Sequence, residues 1–395
     1  MIQILDSTLR EGEQTPGVHF APHIKLAIAD KLDAMGISII EAGHPTVSSS
    51  IRDSVEQLAS RGLRATVGAH SRSLKQDVDL ALECRVEFLG IFYCVSKERL
   101  QDVFKRSYIE AVHEIARIIA YAKERSPNLK IRYTPEDTVR SQFSNVCGAA
   151  LEAVRAGADI ISVADTTGYM VPGRRSMYDY ICRLREYLDS HNVSATIAVH
   201  CHNDRGFALA NALDAIRAGA TIIDASVLGI GERAGIVDLA QLMFCIAEDQ
   251  SLVSACKLKL QSLPELYELV STHSGVTISA NTPLVGVNAF THCAGVHTHA
   301  ASSNPMHYES VEPSMFGRSR TFALDHMSGV SSVQYALEQL QEDCSREFAT
   351  HVLSQVKKVG ESGRTVSLDE LTHIVSWCRQ NKNFLNGENN YGNAR

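Results

Sequence analysis

The sequence lacks paired cysteines, long apolar runs and an excess of basic residues, and each absence excludes a class of protein. Its 10 cysteines are scattered without a CxxC pair, which favours reduced thiols in a cytoplasmic protein. No apolar run reaches the roughly 18 residues of a membrane span, and residues 1–14 show no basic region followed by an apolar stretch. We therefore expect no membrane contact and no signal peptide. The formal net charge of −7 argues against nucleic acid as a partner, because such domains usually carry a basic patch.

What the sequence does contain is a regular alternation of short β-rich runs and longer helical patterns. The predicted strands cover residues 2–7, 37–42, 64–69, 88–93, 130–134, 160–164, 196–200 and 222–227. The predicted helices cover residues 22–35, 49–60, 74–84, 109–125, 139–156, 173–190, 206–218 and 237–245. Eight such units, with several strands apolar enough to be covered on both faces, predict an α/β fold of the (β/α)8 TIM-barrel type. A doubly wound open sheet is the alternative, but no turn carries a GxGxxG pattern.

The chain is expected to continue beyond the barrel, which we assign to residues 1–255. Segment 256–320 includes a stretch rich in polar and small residues with little periodicity, which is typical of a functional loop or lid. Residues 321–385 show helical patterns again and predict a small helical C-terminal region. The polar residues 386–395 predict a disordered tail.

Polar residues follow most of the predicted strands, and TIM barrels carry their reactive side chains at the carboxyl ends of the strands. His200 and His202 share one side of the seventh strand, because alternate residues of a strand point the same way. Two imidazoles with one carboxylate suit a divalent metal ion with open coordination positions. Glu11 is the predicted third ligand, since closure of the barrel places the first strand near the seventh and eighth. A pair of hydrogen-bonded core histidines is the alternative.

Arginines at the same rim have a functional and a structural interpretation. Arg10 either forms a surface ion pair with Glu11 or supports negative charge that develops on a reacting ketone. Arg132, Thr134 and His70 are typical of a binding set for an anionic substrate group, in which the arginine fork faces a carboxylate. Ordinary salt bridging at the barrel rim is the alternative for this set.

Six linked motifs carry a resemblance to a known enzyme family. They read DSTLREGEQTPG, RYTPEDTVRS, ADTTGYMVP, HCHNDRGFALANALDAIRAGA, LGIGERAGIVDL and FTHCAGVHTHA. Over residues 2–316 the chain resembles the homocitrate synthase and 2-isopropylmalate synthase family. The resemblance implies a TIM-barrel enzyme that condenses acetyl-CoA with a 2-oxo acid and uses a divalent metal, which could be Zn, Mg, Mn or Co. It also implies that the chain stops before the regulatory domain that isopropylmalate synthases append.

The resemblance implies roles for individual residues of the barrel. The metal ligands would be Glu11, His200 and His202. Arg10 and Gln14 would contact the 2-oxo acid or its oxyanion. Thr166 would hold the 1-carboxylate of the same substrate.

A further group of residues would carry the proton transfers. Glu136, His297 and Tyr308 match the acid/base group that removes a proton from acetyl-CoA in this family. The resulting enolate would attack the ketone in a Claisen-type addition, and hydrolysis of the thioester would release CoA. His297 and Tyr308 fall on the lid, which in this family reaches across a homodimer into the neighbouring barrel.

The identity of the 2-oxo acid stays open at this point. His70 and Arg132 are similar to the homocitrate-synthase pair that binds the distal carboxylate of 2-oxoglutarate. An enzyme for an aliphatic 2-oxo acid would need an apolar pocket at this place. Thr134 stands where serine is usual, and Arg72 and Arg205 add positive charge. These cations would suit a dianion such as a phosphonate. The alternatives are therefore 2-oxoglutarate and 3-phosphonopyruvate, the latter being the substrate of 2-phosphonomethylmalate synthases.

Three other functions remain as alternatives. The chain could be a 2-isopropylmalate-type synthase, a metal-dependent aldolase or lyase of the same superfamily, or a barrel that binds without catalysis. The FTHCAGVH lid favours a synthase over a lyase, because lyases of this superfamily lack it. A binding barrel would have no reason to combine metal ligands with an acid/base group.

Overall fold

A computed structural model describes residues 1–252 and 254–381 of the chain. The chain divides into two compact units, Met1–Ile278 and Ser279–Arg395. The finer division into segments 1–255, 256–320 and 321–385 stays a prediction, and the predicted tail, 386–395, lies outside the described residues. No described helix has both the length and the apolar character that a membrane span requires.

The first unit is a closed barrel of eight parallel strands, which confirms the predicted TIM barrel. The strands are β1 (Gln3–Asp6), β2 (Ile39–Glu41), β3 (Thr66–Arg72), β4 (Phe88–Cys94), β5 (Lys130–Glu136), β6 (Ile160–Asp165), β7 (Thr196–Cys201) and β8 (Ile222–Ala225). Each strand pairs with its neighbour in the sequence, and β1 also pairs with β8 to close the barrel.

Helices alternate with these strands around the barrel. They are α1 (Pro22–Met35), α2 (Ser49–Ala59), α3 (Lys75–Glu83), α4 (Lys97–Arg99), α5 (Tyr108–Arg125), α6 (Phe143–Arg155), α7 (Met177–Ser190), α8 (Ala208–Arg217), α9 (Leu239–Glu248) and α10 (Leu263–Ser274). The helix α4 is a single turn that continues into a π-type turn over Leu100–Phe104, and the sequence pattern does not predict it. Ser107 and Glu110 then form a capping box that begins α5.

The interior of the barrel is built in layers by the two-residue period of its strands. The lower layer is a cluster of buried apolar side chains, Leu5, Ile39, Phe88, Ile160, Ala198 and Ile222. Glu41, His200 and Asp224 follow Ile39, Ala198 and Ile222 by two residues and therefore also point inward. Arg132 of β5 donates hydrogen bonds to Glu41 and Asp224. The layer nearest the carboxyl ends is therefore charged, and it forms the floor of the site described below.

The second unit is mainly helical, which confirms the predicted helical C-terminal region. It contains two short paired strands, β9 (Thr291–His292) and β10 (Thr321–Phe322). Its helices are α11 (Gly295–Ser303), α12 (Val330–Gln339), α13 (Arg346–Gly360) and α14 (Leu368–Gln380). Side chains of α12, α13 and α14, such as Leu337, Val352 and Val375, form its apolar core.

Candidate active site

Three side chains with metal-binding atoms converge at the carboxyl end of the barrel. The Nε2 atoms of His200 and His202 lie 3.2 Å apart, and each lies 3.9 Å from a carboxylate oxygen of Glu11. All three residues are buried. Zinc–nitrogen bonds of the usual length at tetrahedral angles would separate two ligand nitrogens by about 3.3 Å. The residues therefore fit a divalent metal ion.

The protonation of these groups also suits a metal. Burial lowers the pKa of His202 to about 4, so its imidazole is neutral and keeps a lone pair for a metal. Burial would raise the pKa of Glu11, but Arg10, the two histidines and the backbone N–H of Glu232 together outweigh it and hold the pKa below its ordinary value. The Nδ1 atom of His200 lies 3.0 Å from Oδ2 of Asp224. This contact places the ring hydrogen on Nδ1 and leaves Nε2 to face the metal position.

Arg10 forms ion pairs with two carboxylates beneath the metal position. Its Nη1 contacts Glu11, and its Nε donates to Oε2 of Glu41 at 2.6 Å. The ion pair with Glu11 is therefore present but buried rather than at the surface. Burial opposes ionisation of Glu41, yet the charges around it, that of Arg10 foremost, and the hydrogen bond from Ser7 together keep its pKa well below the ordinary value. Nη2 of Arg10 is the guanidinium nitrogen that takes no part in these ion pairs.

Arg132 crosses the interior of the barrel and bonds to carboxylates from two other strands. Its Nη1 lies 2.9 Å from both oxygens of Asp224, and its Nη2 donates to Glu41 at 2.9 Å. The side chain is almost fully buried. The expectation that the guanidinium fork faces a substrate carboxylate is thus corrected, because both terminal nitrogens already have partners and Nε alone is left.

Several buried polar atoms on one wall have no hydrogen-bond partner among the residues that the structure describes. They are both ring nitrogens of His70, Nε of Arg132 and Oγ1 of Thr134. Burial holds the pKa of His70 well below its ordinary value, so this ring is neutral. Buried polar atoms without partners cost about 1–3 kcal/mol each. Their grouping on one wall is the pattern expected of a subsite for a polar ligand.

Thr166 and Glu136 also line this end of the barrel. Oγ1 of Thr166 accepts from the backbone N–H of Asp137 at 2.9 Å, so its own hydrogen can be donated to a ligand. Glu136 ends β5 and pairs with Arg99 at 2.5 Å. Arg99 belongs to α4, which the sequence analysis did not predict.

These groups line one cavity of about 210 Å³ at the carboxyl end of the barrel. Most of the predicted site residues lie in it: Arg10, Glu11, Gln14, His70, Arg132, Thr134, Glu136, Thr166, His200 and His202. Its remaining walls come from His44, Phe92, Ser162, Ala164, Asp224, Glu232 and Arg233.

Two predicted substrate-binding arginines lie outside this cavity. Arg72 donates to Asp77 through Nε at 2.7 Å and through Nη2 at 3.0 Å. Arg205 donates to the backbone carbonyl of Tyr169 at 2.9 Å and is exposed. The expectation that these two arginines add positive charge to the pocket is therefore corrected.

His297 and Tyr308 belong to the second unit. Their rings are 4.2 Å apart between centroids, and both side chains are exposed. The two residues are thus neighbours, as a shared acid/base role requires, and that role stays a prediction.

Comparisons with known proteins show the family to which the chain belongs. The family model described as HMGL-like matches residues 1–270, and the model described as homocitrate synthase post-HMGL domain-like matches residues 284–364. A homocitrate synthase of Pyrococcus horikoshii is 42% identical over 358 residues, which cover 91% of this chain and 95% of that protein. The chain belongs to the HMGL-like family, in the branch of homocitrate and 2-isopropylmalate synthases.

More distant members of the branch are also similar over most of the chain. Homocitrate synthase AksA of Methanocaldococcus jannaschii is 37% identical, covering 97% of this chain and 92% of that protein. The 2-isopropylmalate synthase of the same organism is 32% identical, with coverage of 95% and 71%. These relatives confirm the predicted family and the predicted enzyme class, an acyltransferase that converts the acyl group to an alkyl group on transfer.

Solved structures of HMGL-like proteins share the barrel. The HMG-CoA lyase of Bacillus subtilis superimposes with a TM-score of 0.58 at 21% identity, covering 69% of this chain and 94% of that chain. The structure of an HMG-CoA lyase from Acinetobacter baumannii in complex with coenzyme A and 3-methylmalate gives the same TM-score at 19% identity, with coverage of 70% and 92%. At these identities the likeness concerns the fold.

Two residues that contact the candidate site in the structure, Asp224 and Arg99, were not predicted from the sequence. Asp224 contacts both His200, a candidate metal ligand, and Arg132, although the sequence of its strand is an ordinary apolar run. The signal was a lone carboxylate inside that run, two residues after the inward-facing Ile222. Arg99 gave no such signal, because nothing in its neighbourhood resembles a barrel element.

Proposed function

We propose that the protein condenses acetyl-CoA with 2-oxoglutarate and releases homocitrate and CoA. The observation that carries this proposal is the unpartnered wall of His70, Arg132 and Thr134. An aliphatic 2-oxo acid would leave these polar atoms buried and unsatisfied, whereas a distal carboxylate would accept hydrogen bonds from them. Four homocitrate synthases are 36–43% identical to the chain, which supports the same substrate class.

In this proposal each residue acts at a defined atom. Thr166 donates to the 1-carboxylate, and the wall around His70 holds the distal carboxylate. Glu136 accepts a proton from the acetyl methyl group, so that a carbon–carbon bond can form to C2 of the 2-oxo acid. Arg10 supports the negative charge that develops on the ketone oxygen.

The remaining chemistry comes from the metal and from water. A divalent metal at Glu11, His200 and His202, with Zn, Mg, Mn and Co as candidates, supplies polarisation of the ketone when bound. Water then attacks the thioester, the carbon–sulfur bond breaks, and the thiolate leaves with a proton as free CoA. The products are a tertiary alcohol with three carboxylates and CoA.

We also propose that the protein forms a homodimer. In it, His297 and Tyr308 on the lid of one copy would complete the acid/base group of the other copy. A mixing experiment tests this arrangement. Glu136→Gln and Tyr308→Phe variants, each inactive alone, should regain activity when subunits are exchanged, because a mixed dimer would hold one intact site. Failure to regain activity, with mixed dimers demonstrated by mass spectrometry, would contradict the exchanged lid.

The substrate is tested by the release of free CoA thiol from acetyl-CoA in the presence of a divalent metal. The panel contains 2-oxoglutarate, 3-phosphonopyruvate, oxaloacetate, 2-oxoisovalerate and pyruvate. We expect turnover with 2-oxoglutarate. In His70→Leu, kcat/KM for 2-oxoglutarate should fall by roughly a hundredfold while that for 2-oxoisovalerate rises, because the wall becomes apolar. The exposed His113→Leu provides the matched control.

The sequence-based alternative is a 2-phosphonomethylmalate synthase. It depended on Arg72 and Arg205 as phosphonate contacts, and neither lines the cavity. Turnover with 3-phosphonopyruvate alone would nevertheless replace 2-oxoglutarate in the proposal. Absence of thiol release with every member of the panel would overturn the synthase and favour a lyase of the same superfamily.

A further inference from the structure

A cluster of three hydrogen-bonded side chains in the second unit has no part in the proposed function so far. One carboxylate oxygen of Glu309 lies 2.7 Å from Nε2 of His292 and 2.5 Å from Nε of Arg320. The other oxygen accepts from Nη2 of Arg320 at 2.6 Å. The side chains of Glu309, His292 and Arg320 keep only 9%, 12% and 21% of their surface exposed, so salt screens these contacts little. The two partners therefore fix both the position and the direction of the carboxylate.

The cluster joins the segment of Tyr308 to a pair of strands. Glu309 directly follows Tyr308 in the chain. His292 is the last residue of β9, and Arg320 immediately precedes β10. These two strands pair with each other in parallel. Glu309 thus fastens the backbone beside Tyr308 to both strands at once.

The helix α11, which carries His297, is held close to the same strands. It begins at Gly295, three residues after His292. Gly295 packs backbone to backbone against Gly329, because a Cβ on Gly295 would lie 2.8 Å from both N and Cα of Gly329. The N–H of Gly295 also donates to the carbonyl of Met327 at 3.3 Å. The first turn of α11, which includes His297, therefore has little freedom to move relative to β9.

The ring of Tyr308 depends on its neighbour in the chain for its position. The side chain of Tyr308 is 47% exposed, so packing covers only about half of it. Its ring centroid nevertheless lies 4.2 Å from that of His297. The hydrogen bonds from Arg320 foremost, together with that to His292, hold the pKa of Glu309 below its ordinary value. The carboxylate that fixes this segment therefore stays charged at neutral pH.

We propose that Glu309 is a positioning residue for the acid/base pair of His297 and Tyr308, with His292 and Arg320 as its anchors. Glu309 neither gives nor takes a proton in the reaction. It acts through Tyr308, whose backbone it fastens to β9 and β10. This inference rests on the proposed function, because it assumes that the two rings share in the proton transfers.

The kinetic test removes the anchored carboxylate. In Glu309→Ala we expect kcat to fall by roughly tenfold to a hundredfold, because a misplacement of about 1 Å at the reacting groups can cost a hundredfold. The KM for 2-oxoglutarate and the affinity for a divalent metal should stay unchanged, since the groups assigned to them lie in the barrel unit. Glu309→Gln keeps the length of the side chain and one oxygen for Arg320. Its kcat should therefore lie between those of Glu309→Ala and the unmodified protein.

A second readout follows the two rings without turnover. The protein is labelled with ¹³C in its histidine rings, and the resonance of His297 is identified by its absence in His297→Gln. The ring of Tyr308 shifts this resonance, and Tyr308→Leu gives its position without that ring. In Glu309→Ala the resonance should move towards the position in Tyr308→Leu, whereas Glu309→Gln should move it less.

The matched control is Glu370→Ala in the same unit. Glu370 accepts from both terminal nitrogens of Arg364, at 2.6 Å and 2.7 Å, but it belongs to α14, which carries neither ring. This variant should leave kcat and the resonance of His297 unchanged. If Glu309→Ala loses the circular dichroism spectrum of the unmodified protein, the comparison of Glu309→Gln with Glu370→Gln carries both readouts.

The possible failures are distinguishable. If the unmodified protein turns over 2-oxoglutarate and both Glu309 variants keep its kcat, the inference is wrong and the proposed function stands. A fall in kcat without a shift of the His297 resonance, or an equal fall in Glu370→Ala, would also overturn it, because the effect would not come from the position of Tyr308. If the resonance moves as expected while the unmodified protein turns over no 2-oxo acid, the placement of the two rings by Glu309 stands and the proposed function fails.

Discussion

Replacing Asp224 by asparagine is expected to weaken the binding of a divalent metal and of the 2-oxo acid together. The buried carboxylate accepts from Nδ1 of His200 at 3.0 Å and from Nη1 of Arg132 at 2.9 Å. Asparagine has nearly the same shape but offers one oxygen instead of two. If that oxygen stays on Arg132, the amide NH₂ faces the Nδ1–H of His200, so two donors oppose each other.

The expected loss of metal affinity follows from the tautomer of His200. To relieve the opposed donors, the hydrogen of His200 moves to Nε2, and the lone pair that would face the metal is lost. Removing a partner of this kind typically costs 10- to 100-fold in metal affinity, or about 1.4–2.7 kcal/mol. Arg132 keeps Glu41 at 2.9 Å, so the cost in folding free energy should stay near 1–3 kcal/mol.

The assay is titration of the metal-free protein with Co²⁺, followed by its visible absorption, and with Zn²⁺ by calorimetry. Neither readout depends on turnover. Asp238→Asn is the matched control, because Asp238 is a partly buried carboxylate that accepts from Tyr267 and from the first turn of α9. Metal affinity in Asp224→Asn equal to that of the control, with an unchanged circular dichroism spectrum, would refute the reasoning.

Three further predictions concern the barrel unit. A Cβ on Gly90 would lie 3.0 Å from Cδ2 of His70, so Gly90→Ala should displace that ring and raise KM for the 2-oxo acid severalfold, which steady-state kinetics would detect. In Glu136→Gln, exchange of the acetyl methyl protons into deuterated water, followed by NMR, should stop while metal affinity stays unchanged. Burial raises the pKa of Asp6 from 3.8 to about 7, so the folded state holds a proton between these values that the unfolded state has lost. The unfolding free energy should therefore fall from pH 4 to pH 7 by up to about 4 kcal/mol relative to Asp6→Asn, and parallel pH profiles in urea unfolding would contradict this.

The sequence predicted the parts of the fold and site that depend on local periodicity and on barrel closure. The spacing of His200 and His202 determines that they share a side, and closure brings Glu11 to them. The observed ends of two strands differ from the predicted ones. β5 extends to Glu136 rather than to residue 134, and β3 runs from Thr66 to Arg72 rather than over residues 64–69. Polar residues at a strand end keep the extended conformation when their neighbours in the barrel pair with them, which the local pattern does not reveal.

The partners of the buried charges could not be predicted in the same way. Arg132 and Asp224 are 92 residues apart, so their contact depends on the register and radius of the whole barrel. The sequence analysis placed Arg132 correctly at the cavity but assigned its fork to a substrate. The segment around Arg99 was missed because a single helical turn followed by a π-type turn has no periodicity to detect.

The pairing of these charges explains why the polar wall near His70 is the informative part of the site. Arg10 and Arg132 are both bonded to Glu41, and Arg132 is bonded to Asp224 as well. Their positive charges are therefore largely balanced within the protein before any ligand binds, which offsets part of the cost of burying them. Within the described part of the chain, by contrast, His70, Thr134 and Nε of Arg132 offer buried polar atoms without a hydrogen-bond partner. Because His70 and Thr134 are neutral donors, we expect this wall to select a ligand mainly by the position of its oxygen atoms, with Nε of Arg132 as its one charged donor.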